Sequence, residues 1–244
     1  MTEPELNDSR SAEIAANVSQ AREEIATACM NSGRSPDEVT IVAITKKFPA
    51  ADVCRLTEQG ITDIGENREQ EATPKSSEVK NKDIDVRWHF VGQLQRNKCK
   101  AVARFADVVQ SVDRSPVVTA LDRAVTSQRD DPISVLLQLS LDSDPTRGGV
   151  LAEDDEKLAT DVLDCKGLRL RGVMAVGPLD WEPERAFAAV AQRSQRIREL
   201  ARDADVISAG MSGDFATAIS YGATVVRLGA KLLGPRADVG YPFR

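Results

Sequence analysis

The chain has 244 residues, of which 41% are hydrophobic and 29% charged, an ordinary balance for a folded globular protein that excludes extensive disorder. Its net charge is -6 and its 32 basic residues are scattered, which excludes a global field drawing it to nucleic acid or an anionic membrane. No apolar run approaches a transmembrane length and the opening Met1-Thr-Glu-Pro-Glu-Leu-Asn-Asp8 is acidic, unlike a signal peptide, so the sequence reads as cytosolic (cytoplasmic).

Residues 1-10 read as a polar leader and 11-244 as one domain. Ile14, Val18, Ala21, Ile25 and Ala28 recur at helical spacing, and Gly33 and Pro36 end that helix. Eight short β-branched runs follow, near 40-45, 61-64, 86-91, 107-112, 133-139, 168-173, 204-208 and 223-228, separated by amphipathic stretches. The clearest of these stretches is 182-201, where Pro183 suits the first turn and Phe187, Val190, Ser194, Ile197 and Ala201 share a face. Runs such as Ile133-Ser-Val-Leu-Leu-Gln-Leu139 are continuously apolar, as parallel strands covered on both faces are. Eight such units with right-handed crossovers predict a single (β/α)8 TIM barrel with an extra N-terminal helix, its site at the C-terminal ends of the strands. An open doubly wound sheet would need a glycine-rich phosphate turn after an early strand, and the sequence has none. Asp142-Ser-Asp-Pro-Thr-Arg-Gly-Gly149 reads as a long loop after the fifth strand. The four cysteines are far apart and His89 is the single histidine, which argues against structural zinc or a disulfide framework.

Three places in this frame carry chemistry. In Thr40-Ile-Val-Ala-Ile-Thr-Lys46, Lys46 sits where the first strand gives way to a loop. A cation there is either a catalytic or cofactor-linking amine, or simply a solvated lysine beyond a core strand. After the seventh strand, Ser212 is placed to cap a helix running through Tyr221, which Gly222 ends. A serine cap with free backbone N–H groups behind it is an anion site, although serine is also a preferred cap for its own sake. The eighth strand ends in Val226-Arg-Leu-Gly-Ala230, and barrels often hold phosphate at the seventh and eighth loops. Arg227, buried or at the mouth, needs an acceptor, either a structural carboxylate or a ring nitrogen of a ligand.

Four blocks occur in order: Val42-Ala-Ile-Thr-Lys46, Gly65-Glu-Asn67 with Gln70-Glu71, His89-Phe-Val-Gly-Gln-Leu-Gln-Arg-Asn-Lys98, and Gly210-Met-Ser212 through Val226-Arg-Leu-Gly229. With them the chain resembles the YggS/PROSC family of pyridoxal phosphate homeostasis proteins, from about residue 11 to the C-terminus. The resemblance implies an alanine racemase-like barrel without a second β-domain, and pyridoxal 5'-phosphate held as a Schiff base on Lys46. It places Ser212 and the backbone of Gly213, Gly229 and Ala230 at the phosphate, Arg227 at the pyridine nitrogen, and Asn67 and Met174 at the cofactor's border. His89 begins a block and is a candidate contact, although a lone histidine on a buried strand is more often structural. Three positions depart from the family pattern. Ala230 stands where threonine is usual, a loss of about 1 kcal/mol if that hydroxyl binds phosphate; Arg68 replaces a tyrosine; and Arg147-Gly-Gly149 replaces Lys-Ser-Gly.

An arginine at the ring nitrogen disfavours the pyridinium and makes the cofactor a weaker electron sink. Racemases on this barrel add a β-domain and a second base, for which a chain stopping at Arg244 is expected to have no room. The expectation is a non-catalytic binder that stores, buffers or delivers pyridoxal phosphate to apo-enzyme recipients. The alternatives are a pyridoxal phosphate-dependent amino-acid racemase and a cofactor-free Schiff-base aldolase. A monomer is expected, with a dimer through the barrel helices as the other arrangement.

Overall fold

The computed structural model describes residues 3-144 and 147-235. A long helix, α1 (Glu3–Asn31), leads into β1 (Thr40–Ile44), α2 (Ala50–Glu58), β2 (Asp63–Glu66), α3 (Glu69–Lys80) and β3 (Arg87–Phe90). Then come α4 (Cys99–Phe105), β4 (Val108–Val112), α5 (Ser115–Thr126), β5 (Ile133–Gln138), α6 (Asp155–Leu163) and β6 (Leu168–Met174). The last elements are α7 (Pro183–Leu200), β7 (Val206–Ser208), α8 (Phe215–Ser220), β8 (Val225–Leu228) and α9 (Ala230–Leu233).

The strands are parallel and pair in chain order, and β8 pairs with β1 to close the barrel. At that seam Val42 lies opposite Arg227 and Ala43 opposite Leu228. Alternate residues such as Ile64, Val109, Leu137, Val173 and Val226 form the core with the surrounding helices. Gly172 in β6 has φ 144, and a Cβ there would lie 1.9 Å from the Val206 carbonyl oxygen, so only glycine lets β6 pass this close to β7. Among the described residues no helix is long and apolar enough to cross a membrane.

Two expectations are corrected. Most of the expected leader, residues 3-10, belongs to α1; Met1 and Thr2 lie outside the described residues. Arg10 ties this part of the helix to the barrel, bonding Asp52 of α2 (2.9 Å) and the Leu233 carbonyl of α9 (3.0 Å). The second, seventh and eighth strands begin two residues later than predicted. In each case the preceding N–H is still committed to a helical turn: Ile61 donates to Leu56, Ala204 to Ala201 and Ala223 to Ala218. Apolar residues that end a helix read like strand starts.

Candidate functional site at the barrel mouth

Lys46 lies just past the end of β1 and is half-buried. The backbone beneath it is fixed on both sides. Thr45 N–H donates to the Gly65 carbonyl (3.0 Å), continuing the β1–β2 ladder, and its hydroxyl donates to Glu66 Oε1 (2.6 Å). Lys75 of α3 donates to the Thr45 carbonyl (2.8 Å) and pairs with Glu66. Burial pushes the Glu66 carboxyl up from its ordinary value, opposed by Lys75 and Thr45. Lys47 is exposed and has φ 68, so the chain turns sharply straight after Lys46. Asn67 follows β2. A Cβ on Gly92 would lie 2.0 Å from the Asn67 carbonyl oxygen, which is why the loop after β3 carries glycine where it crosses this corner.

Across the seam, Arg227 of β8 is buried. Its Nη1 donates to the carbonyl (2.7 Å) and hydroxyl (2.8 Å) of Ser208, and its Nη2 to the Ala175 carbonyl (2.7 Å). Desolvation lowers its pKa to about 10, and only the Asp214 carboxylate opposes that shift. Gly229, the next turn of chain, lies beside β1, where a Cβ would make ordinary contact with the Ile44 carbonyl oxygen at 3.5 Å. Met174, at the end of β6, is buried and pairs in register with Ser208.

Ser212 is not the helix cap. Asp214 holds the N-cap position of α8, and its carboxylate accepts the Met211 N–H (2.6 Å), closing a turn in which Ser212 and Gly213 are exposed. Asp214 wins because it lies directly before Phe215 and reaches back three residues, a span Ser212 sits inside. Gly210, with φ 92, lets this turn press on α8, since a Cβ there would be 2.8 Å from Phe215 Cα.

Lys46, Asn67, Met174, Ser212, Gly213, Arg227, Gly229 and Ala230 therefore gather at the C-terminal ends of β1, β2, β6, β7 and β8. His89 does not join them. Its Nε2 is 2.8 Å from Asp63 Oδ1 and its Nδ1 2.9 Å from Gln110 Nε2, and it borders a cavity of about 400 Å³ with Thr40, Arg87, Val206 and Val225, the first residues of their strands. Its bond to Asp63, the first residue of β2, turns the ring toward the N-terminal end of the barrel. Sequence reasoning missed Glu66, Lys75, Gln110 and Ser208 as supports of this region. The available signal was the polar pair Gln110 and Ser111 inside the apolar run Val108–Val112, all five residues of which are buried.

Residues 12-237 of this closed parallel barrel match the family described as alanine racemase, N-terminal domain, which makes it an alanine racemase-type barrel. A Mycobacterium tuberculosis (strain H37Rv) relative named pyridoxal phosphate homeostasis protein is 39% identical over 243 residues, covering 93% of this chain and 94% of its own. An Escherichia coli K12 relative of the same name is 32% identical, covering 92% and 97%. The chain belongs to the pyridoxal phosphate homeostasis protein family. Among solved structures it is similar to PipY of Synechococcus elongatus with pyridoxal phosphate bound, at TM-score 0.79 and 27% identity, covering 91% of this chain and 100% of that one. Alanine racemase from Corynebacterium glutamicum shares the fold at TM-score 0.65 and 15% identity, covering 96% of this chain and 64% of the racemase.

Proposed function

We propose that this chain binds pyridoxal 5'-phosphate at the barrel mouth and acts in its homeostasis, by storage, buffering or delivery to apo-enzymes, rather than by turning over a substrate. Arg227 carries this reading. A guanidinium has five N–H donors; three hydrogen bonds are made, all to neutral oxygens, so the remaining donors have no partner among the described residues. A buried cation in that state fits a neutral acceptor such as a pyridine nitrogen, and its charge disfavours protonation of that nitrogen.

When bound, the cofactor supplies an electrophilic aldehyde and a conjugated ring. The chain's own residues do the rest. Lys46, held on the seam beside β8, is the amine that takes the aldehyde as a Schiff base. Ser212, with the backbone of Gly213, Gly229 and Ala230, takes the phosphate: Ser212 and Gly213 from the turn before the Asp214 cap, Gly229 and Ala230 from the start of α9. Asn67 and Met174 border the ring. The relatives named for pyridoxal phosphate homeostasis and the loaded PipY structure support the binding of this cofactor.

The test is borohydride reduction of the loaded protein followed by peptide mass spectrometry. A pyridoxyl adduct on the Lys46 peptide is expected, and an adduct confined to another lysine overturns the assignment. Deuterium exchange at the α-carbon of a panel of amino acids checks the non-catalytic part: background exchange is expected, and sustained turnover overturns it in favour of a racemase.

A further inference from the structure

The barrel interior below Arg227 is polar where a barrel of this type ordinarily packs branched apolar side chains. Arg227 Nη1 donates to Ser208 Oγ (2.8 Å), Ser208 Oγ donates to Gln110 Oε1 (2.7 Å), Gln110 Nε2 lies 2.9 Å from His89 Nδ1, and His89 Nε2 lies 2.8 Å from Asp63 Oδ1. These five side chains come from β8, β7, β4, β3 and β2, and cross the barrel from the mouth to the cavity at its N-terminal end. Ser208 and Gln110 are fully buried, and His89 and Arg227 nearly so.

The direction of every bond follows from its cationic end. A guanidinium only donates, so Ser208 Oγ accepts from it and sends its one proton to the Gln110 carbonyl oxygen. The Gln110 amide then donates to His89 Nδ1, which must be unprotonated. The imidazole proton therefore sits on Nε2 and is donated to the Asp63 carboxylate. Reversing any one link sets donor against donor or acceptor against acceptor, or leaves the serine proton unused, in a buried place, where an unmade hydrogen bond is costly. The chain thus runs from a cation to an anion with a single polarity, and such chains polarise along their length.

We infer that Gln110 and His89 are positioning residues for Arg227: the chain from Asp63 through His89, Gln110 and Ser208 fixes the guanidinium toward the mouth and transmits a change of charge there to the imidazole. This rests on the reading that Arg227 faces the cofactor ring. Asp63 anchors the far end of the chain, where it also meets Arg87 at 3.9 Å.

Because the sequence contains one histidine, the imidazole ¹⁵N spectrum reports His89 alone. In the unloaded protein the Nε2–H tautomer with an unprotonated Nδ1 is expected, and an Nδ1–H tautomer overturns the chain whatever the cofactor does. On titration with pyridoxal phosphate, the Nδ1 resonance is expected to shift in proportion to loading. In Gln110→Met, read at equal occupancy by the borohydride adduct, that response is expected to vanish and the absorbance of the bound cofactor to move. A response retained in Gln110→Met, or absent from the loaded wild-type protein, overturns the coupling. Failure to form any adduct overturns the reading of the mouth, while the tautomer still decides the chain.

Discussion

Two arginines of this barrel are almost equally buried, Arg193 at 5% exposure and Arg227 at 6%, yet their surroundings are opposite. Arg193 of α7 meets Asp155 through Nε (2.7 Å) and Nη2, and also donates to the carbonyls of Ser140 and Val150 (2.8 Å). It ties the loop after β5 to α6 and α7. Arg227 has no carboxylate bonded to it and keeps N–H donors in hand at the mouth. A buried cation closed on a carboxylate is a structural tie; one held by carbonyls with donors to spare is set for a partner that arrives later.

The sharpest way to break that contrast is to remove each cation in turn. Arg193→Met leaves the buried Asp155 with only the half-exposed Arg196, 3.7 Å away, and is expected to cost about 3 kcal/mol in urea unfolding. Arg227→Met strands neutral oxygens only and is expected to cost about 1–2 kcal/mol in the unloaded protein, while changing the absorbance of bound pyridoxal phosphate. Equal losses for the two variants would erase the distinction. Glu66 and Lys75 lie between the extremes, since Glu66 Oε1 is paired while its buried Oε2 has no partner among the described residues. The folded pKa of Glu66 is raised, so between the ordinary glutamate value of 4.5 and the folded value the native state holds a proton the unfolded chain has released. Its contribution to stability is therefore complete below 4.5 and is lost as the pH rises through the folded value. Unfolding midpoints of the wild-type protein and Glu66→Gln across that interval are expected to diverge, with the wild type losing ground as pH rises. A pH-independent difference would remove Glu66 from the account.

The eight strands were legible because continuous apolar runs separated by amphipathic stretches admit few architectures. The mouth was legible where short blocks carry it, as at Lys46 and Arg227. What escaped was made by closure. Arg193 meets Asp155 across two elements, and Gln110 meets Ser208 across the barrel, pairings that no local spacing encodes. Ser212 misled because serine and aspartate are both good caps and the turn's own hydrogen bond chose between them. His89 sits in a block yet is bonded to Asp63 and Gln110, as a lone histidine on a buried strand more often is, because membership of a block does not say which end of a strand a side chain faces.

The β1–β8 seam puts Lys46 on one side and Arg227 and Gly229 on the other, and α1 holds it from outside through Arg10 to the Leu233 carbonyl and Asn17 to the Leu232 carbonyl. The two halves of the pocket are therefore made at opposite ends of synthesis. A nascent chain carries the Lys46 amine long before the residues that surround it exist, and non-local contacts of this kind form late. Until the eighth strand docks beneath α1, that lysine is one amine among many, with nothing of β8 beside it.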